Sequence, residues 1–262
     1  VRSLTTQKEL RDARDPGFCY LCGEAWKESD KGRGKRDRDH VPPQAIFGEA
    51  HRTPPLVLRT HPRCNNVQSE YDQQIAQLLS LVRKERPTPK DVSKLRVSMH
   101  EVEGMAPFGA VEYLPLGIII ARWLRAFHAA LYREFLPRVE GRIHEPFPGG
   151  DEPGQDTTLH PIRPTLTAAI RANRMANSLD RIVAFGEQCR YECVWTPQAS
   201  GRPICIFALD IPAWRLLADP NFPARSCVGW YRAVSCIPFS ASRATELAFP
   251  MRIRDPLNAF EE

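Results

Sequence analysis

Between Ser69 and Val82 the apolar residues Tyr71, Ile75, Leu78, Leu79 and Val82 recur at the i, i+4, i+7, i+8, i+11 spacing of one helix face. That spacing predicts a helix with one buried stripe. Arg86-Pro87-Thr88-Pro89 ends it, because proline has no amide hydrogen with which to continue a helix, and marks a domain boundary near residue 90. Upstream, residues 56–60 (LVLRT) read as a short strand, and residues 3–15 as a helix carrying Leu4, Leu10 and Ala13 that Asp15-Pro16-Gly17 stops. Downstream, residues 94–104 predict a strand, 115–136 a long helix, 164–180 a further helix, 189–211 a hairpin and 228–239 another strand. Residues 140–156 are rich in Pro, Gly and acid, and read as a surface loop. Together these elements predict an α+β fold, with a first module over residues 1–90 and a mixed α+β C-terminal domain over residues 91–262.

Within the 115–136 helix, Trp123, Phe127, Leu131 and Phe135 return at helical spacing, which marks a core face rather than a base-stacking surface. Arg122, Arg125 and His128 interrupt the same apolar run and argue against a membrane span. The composition, 42% hydrophobic and 26% charged, is that of a soluble globular chain. No segment has the charged, apolar and small-residue order of a secretory signal, so a cytoplasmic location is expected. The chain begins at Val1 rather than Met and reads as a piece of a longer protein. A net charge of +5 is compatible with a polyanionic partner without demanding one.

The 8 cysteines, in a chain without a secretory signal, read as thiols or metal ligands rather than a disulfide framework. Cys205 and Cys236 sit in apolar runs as small core residues, and Cys189 and Cys193 lack a nearby second pair of ligands. Cys19 and Cys22 are different. They form a CxxC, and His61-Pro62-Arg63-Cys64 supplies a matching HxxC. Two side chains from one tight turn can reach a single tetrahedral ion, and thiolate and imidazole are ligands that zinc prefers. The alternative is that His61 packs on its own and the cysteines are unligated core residues.

The long insert between the two pairs holds Asp39-His40, followed by Val41-Pro42-Pro43. A carboxylate can bind a divalent cation, an adjacent imidazole can take a proton from water, and Asn65 beside the last cysteine can offer a second oxygen. Alone, an Asp-His pair is more often a surface turn. Between two chelating pairs, it becomes the candidate centre.

The run CYLCGE, RDHVPPQAIF and PLVLRTHPRCNNVQSEYDQQI, spanning residues 18 to about 80, resembles the HNH endonucleases of the ββα-metal (His-Me finger) class. It is most similar to the bacterial group with CxxC, DHVPP and a closing CxxCNN. The resemblance implies a zinc-stapled ββα-metal module in which Cys19, Cys22, His61 and Cys64 bind structural zinc. It implies that Asp39 and Asn65 ligate a catalytic magnesium or manganese ion and that His40 is the general base for phosphodiester hydrolysis in DNA. Such modules occur in bacterial defence and restriction. Two departures stand out. The closing chelate is HxxC, which leaves His61 open to serving the catalytic cation instead of zinc, and the middle Asn of the signature, which orients the base histidine, is replaced within Thr53-Pro54-Pro55-Leu56.

Lys31, Arg33, Lys35, Arg36 and Arg38 cluster ahead of His40. Lys35, Arg36 and Arg38 are the expected contacts to DNA phosphates, and the alternative is a solvated loop balanced by Asp30, Asp37 and Asp39. A non-catalytic zinc-containing nucleic-acid-binding module and a structural interaction protein fit the same residues as alternatives to the endonuclease.

Overall fold

The computed structural model describes residues 1–30, 36–82, 95–100, 108–112, 116–136, 139–144, 162–196, 203–212 and 227–233. Lys31, Arg33, Lys35, the Arg86 to Pro89 boundary and Cys236 lie outside these residues.

The fold is α+β. Its elements are β1 (Ser3–Leu4), α1 (Gln7–Asp12), β2 (Asp37–His40), β3 (Val57–Thr60), α2 (Pro62–Val82), β4 (Arg96–His100), β5 (Phe108–Glu112), α3 (Leu116–Tyr132), β6 (Val139–His144), α4 (Ile162–Met175), β7 (Asp180–Ala184), β8 (Cys189–Thr196), β9 (Ile204–Asp210) and β10 (Cys227–Ala233). Six strands form one sheet in the order β1-β7-β8-β9-β10-β6, parallel at β1–β7 and antiparallel elsewhere. Among the described residues β2 pairs with β3 alone, and β4 with β5 alone, as antiparallel hairpins.

Strand periodicity explains why this sheet lies between two layers. Successive side chains of a strand point to opposite faces. Tyr191, Cys193, Cys205, Phe207 and Tyr231 join the core that contains α3, with Phe127 of α3 stacked on Tyr191 at a ring separation of 4.6 Å. The alternate residues Val194, Ile206, Ala208 and Val228 pack with Ile170 of α4. α3 is buried on every side from Ile119 to Leu131, which an apolar helix achieves only in the middle of a structure. Each fully buried aromatic or aliphatic side chain here contributes about 2–3 kcal/mol. Residues on both sides of position 90, from Leu10 and Tyr20 to Tyr191 and Tyr231, share this one core.

Several expectations change. The helix expected over 3–15 is the shorter α1, started by a Thr6–Glu9 capping box, while Leu4 belongs to β1. A pair of residues is too short for periodicity to register, and only its partner β7, far along the chain, makes it a strand. α2 begins at Pro62 rather than near Ser69. Its first turns are polar and carry no apolar stripe, yet a proline suits the first helical position because its missing amide hydrogen is not needed there. The expected loop 140–156 gives its first residues to β6, paired along β10. Trp123, Phe127 and Leu131 are buried, as a core face requires. No helix among the described residues is long and apolar enough to cross a membrane.

Candidate functional site

The CxxC lies on a knuckle. Phe18 bridges to Ala25, the Cys19 amide donates to the Glu24 carbonyl at 3.0 Å, and the Gly23 amide donates to the Cys19 carbonyl at 2.7 Å. Gly23 has φ of +80°, which a residue without a Cβ adopts freely, and this turns the chain directly after Cys22. The HxxC lies at a helix start. His61 precedes α2, and its carbonyl accepts the amides of Cys64 and Asn65, both at 3.0 Å. Cys22 Sγ is 3.4 Å from His61 Nδ1, and the His61 amide donates to Cys19 Sγ at 3.4 Å.

All four donor atoms of Cys19, Cys22, His61 and Cys64 lie within 4.8 Å of one another, so this cluster could hold a metal ion. Ligands about 2.3 Å from a tetrahedral ion stand roughly 3.8 Å apart, so a small closure brings the set onto one metal. Hydrogen bonds from Cys22 and Cys64 hold Cys19 well below the ordinary thiol pKa, and the shared proton pushes Cys22 up. His61 therefore sits with the cysteines rather than beside Asp39. Its ring also meets Trp26 edge-on at 4.9 Å.

Asp39 and Asn65 come together, but around an arginine. Arg122 of α3 reaches across and donates from Nη2 to Asp39 Oδ2 at 2.6 Å and to Asn65 Oδ1 at 3.1 Å. Its Nη1 donates to Asp72 Oδ2 at 2.6 Å, and its Nε to the Tyr20 hydroxyl at 3.3 Å. Tyr20 in turn donates to Asp39 Oδ2. The Arg122 and Asp39 side chains are 3% and 6% exposed, so the pair is out of water. Burial works against the Arg122 charge, but Tyr20, Asp39 and Asp72 outweigh it and raise the pKa above the ordinary value. Burial also raises Asp72 to about 6, against the pull of Arg122.

The carboxylate and amide oxygens of Asp39 and Asn65 are the kind of donors that a hard divalent cation takes. In this arrangement they converge on a guanidinium nitrogen. The expected magnesium or manganese ion between Asp39 and Asn65 does not fit it, because the charge and the donors are already used by Arg122.

His40 lies on the other side of the hairpin. Along β2, Asp37 and Asp39 face inward and Arg38 and His40 face outward, so adjacent Asp39 and His40 serve different surfaces. The His40 ring is half-buried. Burial lowers its pKa, the charges of Arg38 and Arg14 add to that, and Asp39 opposes it. The ring is therefore neutral at neutral pH, the form that can accept a proton. No hydrogen bond to it is found among the described residues.

Of the three expected phosphate contacts, Arg36 is engaged. It pairs with Asp15 at 3.0 Å, donates to the Asp30 carbonyl at 3.1 Å and lies 4.8 Å over the Trp26 ring. Arg38 is exposed and has no ion-pair partner among the described residues. Sequence reasoning missed Tyr20, Asp72 and Arg122. The available signal was Arg122 itself, since a cation inside an apolar helix needs a buried partner. Neither family models, nor curated proteins, nor solved structures give any match to this chain.

Proposed function

We propose that this chain is a zinc-stapled nucleic-acid phosphodiester hydrolase, an endonuclease acting on DNA, with His40 as its general base. One observation carries the reading. An antiparallel hairpin, β2–β3, runs directly into helix α2, a Cys/His cluster ties the start of that helix to a knuckle, and His40 ends the first strand. That is the β-β-α order expected from the sequence resemblance. Zinc held by Cys19, Cys22, His61 and Cys64 would fix the helix start against the hairpin, a structural task for a closed four-ligand site.

His40 Nδ1 or Nε2 takes a proton from water as the water oxygen attacks phosphorus. The bond from phosphorus to the 3′ oxygen breaks, that oxygen gains a proton from solvent, and the ends are a 5′-phosphate and a 3′-hydroxyl. The test is nicking of supercoiled plasmid by wild type and His40→Ala of equal zinc content, in magnesium, in manganese and in EDTA. Nicking by wild type alone is expected. Equal nicking by both proteins refutes the assignment.

A second reading is a non-catalytic zinc-containing DNA-binding module. The occupation of Asp39 and Asn65 by Arg122 favours it. It predicts equal DNA affinity for wild type and His40→Ala, with no cleavage by either.

A further inference from the structure

The outward face of the β2–β3 hairpin carries a concentration of positive charge that no acid among the described residues neutralises. The register places Arg38 directly opposite Arg59. Like charges directly opposite across a hairpin destabilise it, so this pair works against folding unless something else meets it. Arg14, just beyond α1, joins them, because its carbonyl accepts the Arg59 amide at 3.0 Å. Arg14 Nε is buried and makes no hydrogen bond. Burial, then the charges of Arg38, Arg59 and Arg11, depress the Arg14 pKa.

Several other arginines are matched with acids, Arg36 with Asp15, Arg63 with Glu24, Arg122 with Asp39 and Asp72, Arg174 with Glu192, while Arg52 and Arg133 donate to backbone carbonyls. Arg14, Arg38 and Arg59 pair with no carboxylate among the described residues. The nearby acids are committed elsewhere. Asp15 accepts from Arg36 and Trp26, and Asp37 turns inward, 3.5 Å from the Asn65 amide. His40 shares the outward face with Arg38, two residues along the same strand.

We propose that Arg14, Arg38 and Arg59 form the site that grips a phosphodiester of a DNA strand and presents it to His40. The presentation to His40 rests on the hydrolase reading above, whereas the grip does not. Guanidinium groups match phosphate oxygens as planar forks and stay charged at any working pH. Three of them around one phosphate would also stabilise the charge that builds on its oxygens as water attacks, from the face that holds the base. The charge on the phosphate oxygens is then met by arginine on the outer face, and the buried Asp39–Arg122 pair plays no part in holding the substrate. Contacts of this kind hold the backbone and read no sequence.

The experiment is fluorescence-anisotropy titration of a short labelled DNA duplex across a salt series, using the full zinc-loaded chain. Wild type is compared with Arg38→Gln/Arg59→Gln and with Arg190→Gln, an exposed arginine on β8 that pairs with Glu187. The double variant should bind on the order of tenfold or more weaker at low salt, with a log–log salt slope shallower by about 2. Arg190→Gln should bind as wild type does. Thermal unfolding separates this from misfolding, since removing two repelling charges should leave Tm unchanged or raise it. No DNA binding by wild type, or an unchanged slope in the double variant, overturns the proposal. Lost binding in the double variant, with no cleavage by wild type, upholds the arginine site and removes only the role of His40. Full cleavage by the double variant removes the arginine site and leaves the hydrolase reading standing.

Discussion

Replacing Arg122 with methionine should be among the most damaging single changes available in this chain. The substitution keeps most of the apolar stem and deletes a guanidinium that donates to Asp39, Asp72, Asn65 and Tyr20. Two carboxylates then face one another without a countercharge, one of them only 6% exposed. Breaking a buried ion pair from one side costs about 3–5 kcal/mol, because the remaining charge is left out of water and unpaired. Against a total stability of about 5–15 kcal/mol, the variant still folds but with little reserve. Lysine is a partial replacement. Its single ammonium cannot reach Asp39 and Asp72 in the same planar geometry, so Arg122→Lys should lose roughly half as much. Urea unfolding followed by tryptophan fluorescence reads the difference at constant m. Adding Asp39→Asn and Asp72→Asn to Arg122→Met should recover a large part of the loss, since the unpaired charges go with the arginine. A loss of less than about 1 kcal/mol for Arg122→Met, or no recovery in the triple variant, would show that the buried network does not hold α3 to the hairpin.

Metal analysis of the purified chain should find one zinc per molecule, and His61→Ala or Cys64→Ser should lower that content and the Tm together; full occupancy in either variant would mean the metal sits elsewhere. His128 is buried beside Tyr132 and Trp195, and burial lowers its pKa from 6.5 to about 4. The folded value lies below the unfolded one, so its stabilising contribution is full above about pH 6.5 and is lost as pH falls toward 4. By pH 5 that loss is about 2 kcal/mol. His128→Phe should show correspondingly less decline between pH 7 and pH 5 in urea unfolding, and an identical decline would refute the assignment.

The Cys/His cluster was legible because its information is local. Two short spacings, CxxC and HxxC, place each pair on its own turn, and chemistry limits what can bring the pairs together. Helices α2 and α3 were legible because their apolar positions repeat over several turns. The Asp39 environment was not. Nothing near residue 39 announces that its partner is residue 122, and an ion pair so far apart in sequence leaves no periodic trace. The basic loop shows the same limit in reverse. Its charge run was plain, but Arg36 and Arg38, two positions apart, part company only in three dimensions: one turns to Asp15 and Trp26, the other stays free of any acid among the described residues. Arg59 carried no signal until the hairpin register set it against Arg38.

Helix α3 passes between the hairpin and the large sheet, giving Arg122 to one and Phe127 to the other. The piece that looks self-contained in sequence, ending with α2, is therefore not the smallest piece that can be inherited, transplanted or expressed by itself. Cut after residue 82, it would keep Asp39 and Asp72 and lose the cation that makes their burial tolerable. A chimera or gene fusion that borrows this hairpin and its Cys/His cluster must carry α3 with them, and a recombination event between residues 82 and 116 would break the protein where its sequence suggests a seam.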